Sequence, residues 1–234
     1  MRAIHTAPTI LALLTLVACA PRDAAGGPAY APHVDPADFQ TTVDNPFFPL
    51  VPGTVYTYSE KDGGRTFENQ VTVTSDTKVI MGVTCLVVHD VVRAKGVVRE
   101  DTYDWYAQDK QGTVWCFGED TKELSPRGTM TTEGSWTAGV GRNQPGIIMP
   151  ANLTPGAPYR QEYGPGHAED MGQVVAVGDS VNVPFGSFAG CVRTREWSLL
   201  EPGTEQKWYA RGVGLVRERS GTRDWAVLVS VKRP

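Results

Sequence analysis

Apolar and polar positions alternate with a period of two over much of the chain. Thr54–Ser59 alternate, Val71 and Val73 keep the period and Val79 follows. Leu86-Val87-Val88 and Val91-Val92 form a β-branched run too short for a helix. Thr102–Ala107 and Thr113–Phe117 flank Asp109-Lys110-Gln111-Gly112, which reads as a four-residue hairpin loop ending in glycine. Further on, Val174–Val177, Ser180–Val183, Cys191–Leu199, Gln206–Ala210, Leu215–Arg219 and Ala226–Lys232 repeat the scheme, with Asp179-Ser180 and Pro184-Phe185-Gly186 as turns. No window of eleven or more residues holds a 3.6 period free of Gly or Pro, so helices are not expected. The pattern predicts an all-β antiparallel fold, and the 25 glycines and 17 prolines suit short strands joined by turns.

The strand pattern is written twice. Leu50-Val51-Pro52-Gly53-Thr54-Val55-Tyr56 returns as Leu153-Thr154-Pro155-Gly156-Ala157-Pro158-Tyr159, with Pro-Gly and Tyr displaced by 103 positions. Gln70-Val71, Asp76 and Trp105-Tyr106-Ala107 return at the same displacement as Gln173-Val174, Asp179 and Trp208-Tyr209-Ala210. Cys85 drifts by a few positions to Cys191, and Gly112-Thr113-Val114 has a counterpart in Gly214-Leu215-Val216. Matches in one order at a nearly constant offset predict two tandem related β units, 45–125 and 152–234, around a connector at 126–151. They are expected to form one globular domain, as two facing curved sheets or as one folded-over sheet.

The start of the chain has another character. Residues 1–18 read as a signal peptide: Arg2 gives a positive start, and Ile10–Val17 is an apolar core far short of the ~20 residues of a membrane-spanning helix. Leu16-Val17-Ala18-Cys19 resembles the lipobox of bacterial lipoproteins, in which the cysteine is acylated and becomes the new N-terminus. Residues 19–44 are expected to act as a flexible tether, since Ala20–Pro36 is rich in Ala, Pro and Gly with no apolar period. The expected location is the extracytoplasmic side of a bacterial membrane, with the lipid on Cys19 as the membrane partner. Loss of the leader removes only Arg2 from the charged residues, taking the formal charge from −4 to −5. A mildly acidic surface with no basic block argues against nucleic acid and against an electrostatic grip on anionic lipid.

Four stretches carry a family resemblance. They are Asn45-Pro46-Phe47-Phe48-Pro49-Leu50-Val51-Pro52-Gly53-Thr54, the run Asp101 to Asp109 containing Asp-Trp-Tyr-Ala-Gln-Asp, Pro145 to Ala151, and Tyr209 to Val216. With these the chain resembles a family of uncharacterised bacterial secreted lipoproteins over nearly all of residues 45–231. The resemblance implies export and lipidation and brings no activity or catalytic residue with it. Cys116 departs from the family pattern, which places an aromatic residue after the tryptophan.

The common catalytic signatures are missing: Gly-x-Ser-x-Gly, His-Glu-x-x-His, a phosphate-cradling glycine loop and Cys-x-x-Cys. Beyond the leader the histidines are His33, His89 and His167, and nothing groups them into a triad. The suggestive feature is acidic. Asp101 and Asp104 precede the predicted hairpin and Glu119 and Asp120 follow it, so strand pairing brings the two ends together; Glu162, Glu169 and Asp170 form a second cluster. Like charges set opposite one another destabilise a sheet unless something offsets them. A hard cation such as Ca²⁺ is one candidate, although the spacing matches no EF-hand loop, and a pair of carboxylates acting as acid and base on a glycan is another. A solvated acidic edge that resists sheet-to-sheet aggregation, with Arg99, Lys110 and Lys122 as counter-ions, is the third. No cofactor is identified beyond that candidate Ca²⁺.

Trp105, Tyr106, Trp115 and Phe117 lie around one hairpin, with Trp208 and Tyr209 at the equivalent place in the second unit. Adjacent members face opposite ways, so one set is core, and the other either packs in a core as well or lines a cleft for an apolar or sugar ligand, for which Trp105 and Trp208 are the candidates. With Cys19 spent on lipid, Cys85, Cys116 and Cys191 remain; burial of Cys85 and Cys191 in their apolar strands, a Cys116–Cys191 bond and a Cys85–Cys116 bond are all compatible with the sequence. The resulting expectation is a lipid-anchored envelope protein, non-enzymatic, that binds a small-molecule, glycan or envelope-protein ligand or plays a structural role. The alternatives are a surface hydrolase using paired carboxylates on a glycan or other polymer, and an assembly factor that pairs a sheet edge with an envelope protein.

Overall fold

Three connections near the start of the body each use two residues with positive φ: Gly63-Gly64 (52° and 79°), Met81-Gly82 (52° and 80°) and Lys95-Gly96 (51° and 81°). That is the backbone of a type I′ turn, whose twist matches the strands it joins. These turns therefore fold one long stretch into a meander. In the computed structural model, which describes residues 30–125, 128–221 and 224–234, the meander comprises β2 (Val55–Asp62), β3 (Arg65–Ile80), β4 (Val83–Ala94), β5 (Val97–Asp109) and β6 (Val114–Leu124), preceded by β1 (Phe39–Gln40). A second meander follows the connector: β10 (Tyr159–Arg160), β11 (Asp170–Val183), β12 (Gly186–Ser198), β13 (Glu205–Ala210), β14 (Gly214–Ser220) and β15 (Asp224–Lys232).

The last strand closes back on the first meander. β15 pairs with β2, with Leu228 opposite Tyr58, so the strand order runs β10-β11-β12-β13-β14-β15-β2-β3-β4-β5-β6. Every pairing is antiparallel. The fold is thus all-β and antiparallel, and of the two expected arrangements it is the single folded-over sheet. Residues matched by the 103-position displacement occupy corresponding strands: Gln70 and Gln173 on β3 and β11, Trp105 and Trp208 on β5 and β13.

The connector is built on β6. It carries β7 (Met130–Thr131), β8 (Trp136–Thr137) and β9 (Gly146–Met149), all three paired with β6. The Gln144 N–H then donates to the Tyr163 carbonyl at 2.9 Å, so the connector links the two ends of the sheet without a continuous ladder. Here the backbones approach too closely for any side chain, and a Cβ on Gly146 would run into the Gln161 carbonyl.

The three turns expected from sequence fare differently. The Asp109–Gly112 loop forms, with the Gly112 N–H donating to the Asp109 carbonyl at 2.9 Å, and Pro184-Phe185 turns the chain between Val183 and Gly186. Asp179-Ser180 is not a turn. Gly178, at φ 103°, takes up the irregularity as a bulge inside β11, and pairing continues through Asp179 opposite Cys191.

Both faces of the first meander are buried. Its concave face shares a core with the second meander that includes Tyr58, Val73, Val88, Val192, Tyr209, Val216 and Leu228. Its convex face holds a second core of Val83, Cys85, Val87, Trp105, Phe117 and Trp136, covered in part by Val34 and Phe39. Residues 30–44, expected to belong to the tether, pack on the body. The Tyr30 hydroxyl donates to the Pro145 carbonyl at 3.0 Å, and the Gln108 side-chain oxygen accepts from the N–H groups of Asp44 and Asn45 at 2.9 and 2.7 Å. Apolar Tyr30, Val34 and Phe39, each burying its ring or branch, explain why this part is docked. The signal peptide, Cys19 and residues 20–29 lie outside the described residues.

Gly118 shows how tightly the convex layer is built. Its φ is 130°, and a Cβ there would collide with the Trp136 carbonyl. Gly118→Ala is expected to cost at least ~2 kcal/mol, combining an unfavourable φ with a backbone clash. Gly190, at φ 71° with nothing within 4 Å, carries the strain without the clash, so Gly190→Ala should cost less. Urea unfolding midpoints of the two variants check the difference, and equal losses would contradict it.

Candidate functional site

On the concave face of six strands the inward residue changes character along the strand. β2 presents Tyr56, Tyr58 and then Glu60; β4 presents Leu86, Val88 and then Asp90; β12 presents Val192, Thr194 and then Glu196; β14 presents Val216 and then Glu218. β5 does the same in the opposite direction, from Tyr106 to Asp104, and β13 from Tyr209 through Lys207 to Glu205. The ladder aligns these positions: Val88 faces Asp104, which faces Glu119, while Ala226 sits between Glu60 and Glu218. An apolar floor thus gives way to an acidic wall around one large cleft.

The cleft has a volume of about 1620 Å³. Fourteen Asp and Glu side chains line it against four Lys and Arg, which places over half of the chain's 26 acidic residues around one hollow. Of the four basic groups, Arg65, Lys95 and Arg99 sit at hairpin ends, and Lys207 stands within the wall.

Lys207 organises one part of the wall. Its Nζ lies 2.8 Å from Glu196 Oε2 and 3.8 Å from both Glu205 and Glu218. Burial opposes the ammonium charge, but Glu196, Glu218 and Glu205 outweigh it and hold the Lys207 pKa well above its usual value. Burial likewise opposes the Glu196 charge, and Lys207 together with the Thr194 hydroxyl, which donates at 2.6 Å, leaves Glu196 below its ordinary value. Two partners stabilising each other's charge in a shielded place make a firm ion pair.

Elsewhere in the wall the carboxyls shift upward. Burial, with Asp90, Glu162 and Glu100 nearby, pushes Asp104 well above the normal carboxylate range. Burial and Asp104 push Glu119 up to about 8, and burial with Glu119 and Asp170 raises Glu162 well above its usual value. Glu60 is driven up to about 8 and Asp90 to about 7, in both cases chiefly by burial. Near neutral pH several of these carboxyls share the cleft with protons still bound.

Of the acidic residues expected from sequence, Asp104, Glu119, Glu162 and Asp170 come together in this cleft, although they belong to separate elements. The other three do not. Asp101 points to the convex face, 2.9 Å from His89 Nε2, where His89 stacks on Tyr103; its strand position is odd where the cleft positions are even. Asp120 is exposed and borders a smaller hollow of about 390 Å³ with Lys78 and Trp105. Glu169 is 3.4 Å from Arg160 and accepts the Gly166 N–H at 2.9 Å. Among the described residues, no three of the expected carboxylates bring their oxygens within 4.8 Å of one another; that grouping occurs at exposed His33, Asp35 and Asp38.

The strand phase places both candidate tryptophans away from the large cleft. Trp105 is buried in the convex core with the Lys78 Nζ 3.2 Å over its ring, and Trp208 donates from Nε1 to Asp179 at 2.9 Å, between Arg193 and Arg217. The neighbouring tyrosines line the cleft instead: Tyr106 and Tyr209, with Tyr56, Tyr58 and Phe48. Cys85, Cys116 and Cys191 are three buried free thiols, which resolves the pairing that sequence left open. For Cys116 burial lifts the thiol pKa well above its usual value, as expected of an inert core thiol.

No family model and no curated protein matches the chain. Two solved structures do. One, provisionally described as an exported protein with a YmcC-like fold from Bacteroides fragilis NCTC 9343, is 16% identical over 80% of this chain and 99% of its own, with a TM-score of 0.49. The other, provisionally described as a lipoprotein from Parabacteroides distasonis ATCC 8503, is 14% identical over 82% of this chain and 100% of its own, with a TM-score of 0.44. Neither likeness assigns a ligand or a reaction.

The chemistry on offer is that of the wall itself. Shielded carboxylates attract positive charge far more strongly than surface ones, because little solvent screens them. The tyrosine and valine floor suits an apolar group, and tyrosine faces also attract organic cations.

Proposed function

We propose that the chain is a cell-envelope lipoprotein, acylated on Cys19, with a body that takes up an amphipathic organic cation without catalysis. The leader and its Leu-Val-Ala-Cys ending support the location, and the matched residues of the two meanders support descent from one duplicated unit. One observation carries the binding reading: six strands of the cleft pass from apolar floor to acidic wall. The apolar tail would lie against Tyr56, Tyr58, Tyr106 and Tyr209, and the cationic head would be held among Glu60, Asp90, Asp104 and Glu119.

Titration with decyltrimethylammonium below its micelle concentration tests this, with decyl sulfate as the anionic twin. The cation should bind saturably at one site, Asp104→Asn should weaken it by about tenfold or more, and decyl sulfate should not bind. Equal binding of both amphiphiles would sink the reading.

One observation favours a hydrolase instead. Asp104 and Glu119 are directly opposed on β5 and β6, and both carboxyls are raised, so an acid and a base could share a short separation. Under that reading Asp104→Asn abolishes turnover of a reporter glycoside, whereas the binding reading predicts no turnover in either form.

A further inference from the structure

We infer that Glu60, Asn69 and Asp90 form a site for a hard divalent cation at the acidic end of the cleft. These residues stand on three consecutive strands, β2, β3 and β4, and face the same side. Tyr58 is opposite Asn69 and Val71 is opposite Asp90, so the three lie on one diagonal of the sheet. Diagonal neighbours on one face are within reach of each other's longer side chains. The Asn69 amide donates to Asp90 Oδ2 at 3.3 Å, which fixes the middle residue against the third.

What singles out this diagonal is a set of unused oxygens. Glu60 is only 3% exposed, and its Oε2 has no hydrogen-bond partner among the described residues. Asn69 Oδ1 and Asp90 Oδ1 are likewise shielded and unpartnered. The Asn69 amide donates to Asp90 and bonds Glu60, so once the two carboxyls ionise the three remaining shielded oxygens have no donor left, which costs stability because a buried acceptor forfeits its water without replacement. A cation is the partner that satisfies acceptors only.

The donor set defines the class. Two carboxylates and an amide oxygen, with no sulfur or imidazole, suit Ca²⁺ or Mg²⁺ over the softer transition metals. The cleft that these residues line leaves the other coordination positions to water. Glu218, across Ala226 from Glu60, adds negative charge but is engaged with Lys207, so it stays outside the ligand set. The site deepens the cation-binding reading of the cleft and rests on it: it shares Glu60 and Asp90 with the wall that would hold the organic cation and adds Asn69.

Terbium luminescence tests it, because Tyr58 beside the diagonal can sensitise a bound ion. The protein, stripped with EDTA and held at pH 8 where the carboxyls can ionise, should light Tb³⁺ saturably at one site. Added Ca²⁺ or Mg²⁺ should displace the lanthanide, and the more effective ion is the natural class. Glu60→Gln should weaken binding by about tenfold or more, since affinity for such ions follows ligand charge. Glu68→Gln, which removes the same charge from the exposed face of β3 beside Asn69, should leave it unchanged. Absence of saturable luminescence, or equal loss in both variants, would overturn the site. Decyltrimethylammonium binding by the same stripped protein separates the readings: its persistence while terbium fails refutes the metal site alone.

Discussion

Lys207→Met is expected to cost on the order of 3–5 kcal/mol at pH 7, because it strands charges in the cleft wall. Glu196, Glu205 and Glu218 lie within 2.8–3.8 Å of the ammonium, and the Glu196 side chain is only 6% exposed. Removing one partner of a shielded ion cluster leaves the others without compensation, whereas a surface pair would lose under ~1 kcal/mol. The loss should shrink at pH 5, where the stranded carboxyls can take up protons. Urea unfolding at both pH values checks this, and a loss below ~1 kcal/mol at pH 7 would show that the cluster is solvated surface.

The second large effect is an inverted pH profile for the unliganded protein. Glu60 rises from 4.5 to about 8, Asp90 from 3.8 to about 7 and Glu119 from 4.5 to about 8 on folding. Between about pH 4.5 and 8 the folded state therefore holds protons that the unfolded state has lost, so stability falls as pH rises through that window. At ~1.4 kcal/mol per pH unit Glu60 alone represents a few kcal/mol, reduced by whatever water the cleft admits. For a chain of this size the melting temperature should drop by on the order of 10 °C between pH 5.5 and 8.5. Glu60→Gln mimics the protonated acid, so it should match the parent at pH 5.5 and exceed it at pH 8.5. A parent melting curve that rises across this range would contradict the assignment of shielded carboxyls.

The sequence disclosed the fold class because period-two alternation and turn residues are local properties. The Asp109–Gly112 loop and the Pro184-Phe185 turn depend on nothing far away. Gly63-Gly64 was an equally local signal for a two-residue hairpin, and reading it would have carried the first strand on to Asp62. The cleft was only half legible. Asp104 and Glu119 stood out because acidic neighbours cluster around them, but Asp90, Glu196 and Glu218 each arise singly, one to a strand, and Glu60 shares its strand only with Asp62. Their grouping exists only once the sheet folds over. A signal was present in the recurring step from aromatic or β-branched to carboxylate at alternate positions, as in Tyr56-x-Tyr58-x-Glu60. The choice of Trp105 over Tyr106 failed for a related reason. Both faces of β5 are covered, so hydrophobicity alone does not say which member of the pair meets the cleft.

Under the proposed function, the acidic cleft takes up positive charge by giving up protons. Calorimetric titration with decyltrimethylammonium at pH 7, in two buffers of different ionisation enthalpy, reads that exchange directly. The ligand has no proton of its own to lose, so any release comes from the protein. Displacement of the raised pKa values of Glu60, Asp90 and Glu119 should release about one proton per ligand bound. Binding with no proton release, or no binding at all, would contradict the account.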